Sequence, residues 1–150
     1  KAIGVGMNQC ETPTRVIKET DIDMVLIAGR YSLLDQRALI ELLPTAVERN
    51  VDIIAAGVFN SGILANPVKG ATYDYVPASE ELLAKAVRIR EVLDGHQVSL
   101  TSAALQFPLR HPAVKSVLVG CRSAAEVKTN IDAFNAPIEN KVWDDLVSVL

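Results

Sequence analysis

Four short apolar runs punctuate the sequence: Ala2 to Val5, Met24 to Ala28, Val51 to Ala56 and Val117 to Val119. Each is largely continuous rather than alternating, and each is bounded by Gly, Asn or charged residues. A strand that is apolar on successive residues buries both faces, which is the habit of parallel sheets. The segments between the runs carry helical patterns. Thr12 to Glu19 opens with Thr12-Pro13, a cap followed by proline at the first helical position. Asp35 to Arg49 places Leu39, Leu42, Leu43, Ala46 and Val47 on one helical face, and Asn50 stands where a left-handed stop is wanted. The third connection is longer. Asn60 to Pro77, rich in Gly, Pro, Asn and Tyr, reads as a loop. Ser79 to Leu93 reads as a helix with Glu80 and Glu81 near its positive start and Gly95 at its end. Ser99 to Leu109 is a further helix, stopped by Arg110-His111-Pro112. Ser123 to Phe134 follows the fourth run directly. Asn140 to Leu150 closes the chain, with Val142, Leu146, Val149 and Leu150 toward a core and Trp143 beside them.

The order is therefore β-α-β-α-β-loop-α-α-β-α-α, an α/β alternation with parallel strands. Four strands can form an open sheet, or half of a (β/α)8 barrel, which needs roughly 200 residues or more. At 150 residues the chain supplies about half of one. A net charge of −3, with no Lys/Arg cluster, predicts no general attraction to nucleic acid or an anionic membrane. No apolar run approaches the ~20 residues that span a bilayer. Cys10 and Cys121 lie far apart with no metal-ligand spacing, as expected of reduced cysteines in a cytoplasmic protein. The chain starts inside a strand, with neither an initiator Met nor a cleavage-site pattern, and reads as a fragment of something longer.

Five segments, in order, resemble the aldo-keto reductase family. Ala2-Ile3-Gly4-Val5-Gly6-Met7-Asn8 is similar to the family's fifth barrel strand. Tyr31-Ser32-Leu33-Leu34-Asp35 resembles the turn after the sixth. Ile53 through Leu64 resembles the seventh strand and its cofactor loop, and Val98 to Phe107 the helix that follows. Val119-Gly120-Cys121-Arg122-Ser123, with Glu126 and Asn130 downstream, resembles the eighth strand and its phosphate-binding helix start. The Gly57 to Leu64 stretch is similar to the family's sugar and pyridoxal dehydrogenases. The resemblance implies that residues 1–150 are the C-terminal half (strands five to eight) of a single (β/α)8 TIM barrel domain, completed by the N-terminal half of the same barrel.

The family implies an extended NAD or NADP at the mouth of the barrel and a carbonyl compound, sugar or small aldehyde as substrate. After the last strand Gly120 permits close backbone approach. Ser123 opens a helix whose free amides favour an anion, and Arg122 adds a fixed charge. By resemblance Gly120, Arg122, Ser123, Glu126 and Asn130 hold the adenosine end. Phe59, Asn60, Ser61, Gly62 and Leu64 form the loop that suits a pyrophosphate. Asn8, or the adjacent Met7, faces the nicotinamide. Glu126 repels a 2′-phosphate and favours NAD, whereas Arg122 favours NADP; the balance leans to NAD. The chain departs from the family at Ala28, where a Gln is common, and at Ala56, where many members stack a Tyr.

The Tyr, Lys, Asp and His that carry the family's chemistry belong to the other half of the barrel, and no residue here matches them. Tyr73 and Tyr75 either line the substrate mouth or rest on the surface. His96 and His111 read as residues at helix ends, and Asp144 and Asp145 as solvated flanking charges. The isolated chain is then expected to be inactive, with a half barrel's open edges favouring a homo-oligomer. Two other readings stay open. One is a non-catalytic nucleotide- or phosphate-binding half barrel; the other is a purely structural truncation fragment.

Overall fold

A computed structural model describes every residue, Lys1–Leu150. The chain divides into two compact units. The first comprises Lys1–Val58 and Pro108–Val119; the second comprises Phe59–Phe107 and Gly120–Leu150.

The first unit is built on a parallel sheet of β1 (Gly4–Met7), β2 (Met24–Ala28), β3 (Asp52–Ala56) and β6 (Val114–Leu118), in that spatial order. Pairing is residue by residue. Gly6 faces Leu26, Leu26 faces Ile54, and Ile54 faces Ser116; the ladder slips only between Ile53 and Ile54, on the β6 side. Because side chains alternate along a strand, this register sorts them by face. Val25, Ile27, Ile53 and Ala55 share one face and are fully buried. Helix α1 (Glu11–Glu19) packs on β1 and on α2 (Leu42–Arg49), and α2 packs on β3. Ile17, Leu42, Leu43 and Ala46 complete that core. Each of the valine, isoleucine and leucine side chains contributes about 1.5–3 kcal/mol on burial. The other face is thinly covered: Leu26 and Ile54 are partly exposed, and Leu118 is 55% exposed.

Several expected boundaries move. The first strand runs from Gly4 to Met7 because the Ile3 amide donates to the Asp23 carboxylate, 2.7 Å away, rather than to a ladder. The last strand begins at Val114, earlier than Val117; Lys115 and Ser116, both exposed, interrupt the apolar run. The helix expected from Asp35 is broken. Asp35 is buried and its carboxylate accepts from the Arg37 guanidinium and amide, while the Ser32 hydroxyl accepts from the Leu34 and Asp35 amides. A single 3₁₀ turn (Arg37–Leu39) follows, and α2 starts only at Leu42. Leu39 and Val47, placed on the buried face by a continuous helical count, are exposed. Asn50 does take the left-handed stop (φ 54, ψ 41).

The second unit holds four helices: α3 (Glu80–Gly95), α4 (Leu100–Gln106), α5 (Ala124–Asn135) and α6 (Asn140–Leu146). Ser79, Ser99 and Ser123 cap the first three, each hydroxyl accepting the amide three residues on. Helix α4 packs on α3 and α5, and α3 on α6. The Gln106 side-chain amide donates to the carbonyls of Ala133 and Ala136, satisfying the end of α5. Phe107 meets Trp143 at 6.5 Å between ring centroids. Gly95 is the last residue of α3, as expected, two residues past Leu93; the left-handed residue is Gln97. Helix α4 gives way to a 3₁₀ turn at Phe107 because Pro108 has no amide to continue it. The last helix ends at Leu146, short of Leu150. The segment expected to be wholly loop contains a small antiparallel hairpin of β4 (Thr72–Tyr73) and β5 (Val76–Pro77). No helix is long and apolar enough to cross a membrane.

Gly57 ends β3 at φ +62, and a Cβ there would lie 3.1 Å from the Gly29 amide nitrogen. Gly57→Ala is therefore expected to lower stability by about 1–2 kcal/mol, the cost of a left-handed side-chain-bearing residue. Urea denaturation measures it, and an unchanged midpoint would show that the turn relaxes freely.

Candidate cofactor-binding site

Active sites of parallel α/β barrels gather where strands deliver their C-terminal ends. In the first unit those ends are Met7, Ala28, Ala56 and Leu118. Met7 pairs with Ile27, and Ile27 with Ala55, so Met7 shares the helix-covered face. Asn8 is the next residue, exposed beyond the strand. Of the two residues expected near a nicotinamide, the alternation favours Asn8. Tyr31 lies edge-on to His111 with ring centroids 5.9 Å apart. Burial pushes the Tyr31 phenol up, partly offset by Arg110, and pushes the His111 imidazole down.

In the second unit, the loop after β3 makes a 3₁₀ turn over Asn60–Gly62. Asn60 is 3% exposed. Asn60 and Ser61 both adopt left-handed backbone (φ 45 and 59). The Gly62 and Leu64 amides both donate to the Phe59 carbonyl. Ile63 and Leu64 are fully buried and pin the loop down. Leu64 thus supports the turn, while Ser61 and Gly62 are its exposed residues. The hairpin docks on this turn: the Thr72 hydroxyl donates to the Ser61 carbonyl (2.9 Å), and the Tyr75 amide donates to the Ser61 hydroxyl (3.1 Å).

The second cluster stands at the start of α5. The Ser123 hydroxyl accepts from the Glu126 amide. The Glu126 carboxylate turns back and accepts from the Arg122 amide (2.7 Å) and from the Arg122 guanidinium (3.1 and 3.3 Å). The Asn130 side-chain amide donates to the Cys121 sulfur at 3.3 Å, tying the second helical turn to the same loop. Gly120 has open space where a Cβ would stand. Arg122, Ser123, Glu126 and Asn130 are thus assembled as expected, with Cys121 added. By helix geometry the amides of Ala124 and Ala125 have no intrahelical acceptor, and they face the positive end of the macrodipole. The donor set fits a phosphate or ribose. Arg122 and Glu126, opposing signals for the choice of cofactor in the sequence, are partners in the fold. The Arg122 amide first, then its guanidinium, holds the Glu126 carboxyl below its ordinary 4.5.

Other residues also find partners that the sequence left unassigned. His96 Nε2 lies 2.9 Å from the Asp145 carboxylate, joining the end of α3 to α6, so Asp145 is a solvent-exposed charge, as expected, that also has a partner. The hairpin went unseen because Asp74-Tyr75 lacks the Gly that marks a two-residue turn. No group of three or more His, Cys, Asp or Glu could hold a metal, and both cysteines are free.

The chain belongs to the aldo/keto reductase family, whose sequence description matches residues 1–150. It is 43% identical over 149 residues to pyridoxal 4-dehydrogenase of Microbacterium luteolum, covering 99% of this chain and 44% of that protein. It is 40% identical over 148 residues to D-threo-aldose 1-dehydrogenase of a Pseudomonas species, covering 97% of this chain and 45% of that one. Among solved structures it superimposes on the holo form of aldo-keto reductase AKR11C1 from Bacillus halodurans with a TM-score of 0.77 at 24% identity, over 97% of this chain and 49% of that one. The chain spans less than half the length of these curated relatives. Its fold is the C-terminal half of the family's (β/α)8 barrel.

Glu126 titrates with a depressed pKa, so its contribution to the helix start is present above about pH 4.5 and is lost as pH falls through the lower folded value. A carbon-detected NMR titration should place the Glu126 carboxyl below that ordinary value, and Arg122→Ala should move it back up. A Glu126 carboxyl titrating normally in the parent protein would show that the ion pair does not form in solution.

Proposed function

We propose that the whole protein is an NAD-dependent oxidoreductase, of which this chain is the cofactor-binding half of a single barrel domain. When bound, the nicotinamide supplies or accepts the hydride, exchanged with the carbonyl or hydroxyl carbon of a sugar or small aldehyde. The 43% and 40% identities to a pyridoxal and an aldose dehydrogenase support that substrate class. The N-terminal half of the barrel covers the open sheet face at Leu26, Ile54 and Leu118 and brings the proton-transferring residues. The cytoplasm is the proposed compartment, and a homo-oligomer the proposed assembly.

The Arg122–Glu126 arrangement carries the preference for NAD. Glu126 already occupies the guanidinium that a 2′-phosphate would need, and its two oxygens accept hydrogen bonds from ribose hydroxyls. The amides at Ala124 and Ala125 remain for the diphosphate side of the nucleotide. Asn60, Ser61 and Gly62 form the second holding loop, and Asn8 addresses the carboxamide.

Steady-state kinetics on the full-length protein test this directly. NAD should be preferred over NADP, and Glu126→Gln should raise kcat/KM for NADP roughly tenfold by freeing Arg122, equivalent to about 1.4 kcal/mol. The isolated 150-residue chain should turn over neither cofactor. A strong preference of the parent protein for NADP would sink the NAD assignment, and turnover by the isolated chain would sink the division of labour.

A further inference from the structure

The hairpin of β4 and β5 turns through Asp74 and Tyr75 alone, and both have left-handed backbone (φ 49 and 65). A two-residue turn of this kind favours Asn or Asp followed by Gly, because a Cβ at either position crowds the backbone. Aspartate is tolerated there; tyrosine is a poor choice. The backbone is nonetheless fixed. The Tyr75 amide is held by the Ser61 hydroxyl, and Thr72 holds the Ser61 carbonyl. Ser61 and its neighbour Asn60 are themselves left-handed, so two strained pairs brace each other. The Tyr75 side chain takes no part in this bracing: it is 93% exposed. Val76 beside it is also exposed. Tyr73, by contrast, is half-buried. Strain retained at a position whose side chain does nothing for its own turn points to a role outside it.

We propose that Tyr75 is a specificity-determining residue, presenting its ring as a stacking platform for a ring-bearing substrate, either the C–H face of a sugar or a heteroaromatic ring. This rests on the oxidoreductase reading above. The hairpin is bonded to the exposed part of the Asn60–Gly62 loop, so the ring is carried on the same segment proposed to hold the cofactor. A tyrosine offers a flat apolar face with few rotors to immobilise, which suits such a contact.

The test uses the full-length protein with Tyr75→Gly and Tyr75→Phe. The probes are pyridoxal, a D-threo-configured aldopyranose, and glyceraldehyde as an open-chain control. Tyr75→Gly should raise KM for the ring-bearing probes at least roughly tenfold. It should leave KM for glyceraldehyde and the Kd of the dinucleotide unchanged, and leave Tm equal or higher because glycine relieves the turn. Tyr75→Phe should restore the low KM. Unchanged KM for the ring-bearing probes overturns the proposal. So does a weakened dinucleotide Kd, which would make Tyr75 a cofactor contact. A fall in Tm with KM unchanged would make it a packing group against another part of the protein, and a parent enzyme using only glyceraldehyde would leave no ring to stack. Failure of the parent protein to transfer hydride to or from any probe overturns the oxidoreductase reading itself, and is seen before any variant is compared.

Discussion

Parallel pairing in register is the constraint from which the first unit follows. Parallel strands cannot be joined by tight turns, so each return must cross the full length of the sheet, and helices are the cheapest way to do that while satisfying every backbone group. Helices α1 and α2 are two of those returns. The same pairing aligns the strand ends, so that Asn8, Gly29, Gly57 and Val119 all begin departures from one edge of the sheet. The crowding there is visible where the Gly29 amide donates to the Ala56 carbonyl and a Cβ on Gly57 would press on Gly29. Glycine at both positions, each with positive φ, lets two neighbouring strands turn away from the sheet side by side.

The start of α5 shows how a charged pair can tune a site without closing it. Arg122 and Glu126 are solvent-facing, and their ion pair adds little to stability. On the proposed function its effect is on ligand preference. A helix start with a free arginine would favour any anion; one whose arginine is already engaged by a carboxylate discriminates against additional charge while keeping its backbone donors. The residues that look contradictory when read singly become coherent as a pair.

Much of this was legible in the sequence. Met24 to Ala28 reads as a strand because five consecutive apolar residues end at Gly29, and it is a strand over those residues. The three serine caps and the left-handed Asn50 follow from local hydrogen-bond chemistry and needed no tertiary information. What failed depended on contacts distant in sequence or on a side chain's choice between partners. Asp35 could have opened a helix; its carboxylate instead engages Arg37, and the helix slips seven residues. Lys115 and Ser116 hid the start of β6 because an apolar run does not report a strand whose polar side chains are exposed. The hairpin at Asp74-Tyr75 was invisible because its turn residue breaks the usual preference, and that same irregularity carries the one inference about substrate contact. Within the candidate site, the grouping of Arg122, Ser123, Glu126 and Asn130 was legible through the family resemblance, with helical spacing adding only that Asn130 falls near the same face; the Asn130 bond to Cys121 was not legible.

The chain's single tryptophan, Trp143, is buried in the second unit against Phe107. Its environment is set by α6 and the end of α4, elements that belong to the same unit as both proposed cofactor loops. Tryptophan emission is consequently a local gauge: it reports the integrity of the unit that carries the proposed nucleotide loops. One native optical channel therefore follows that unit apart from the sheet, which holds no tryptophan, without any label being introduced.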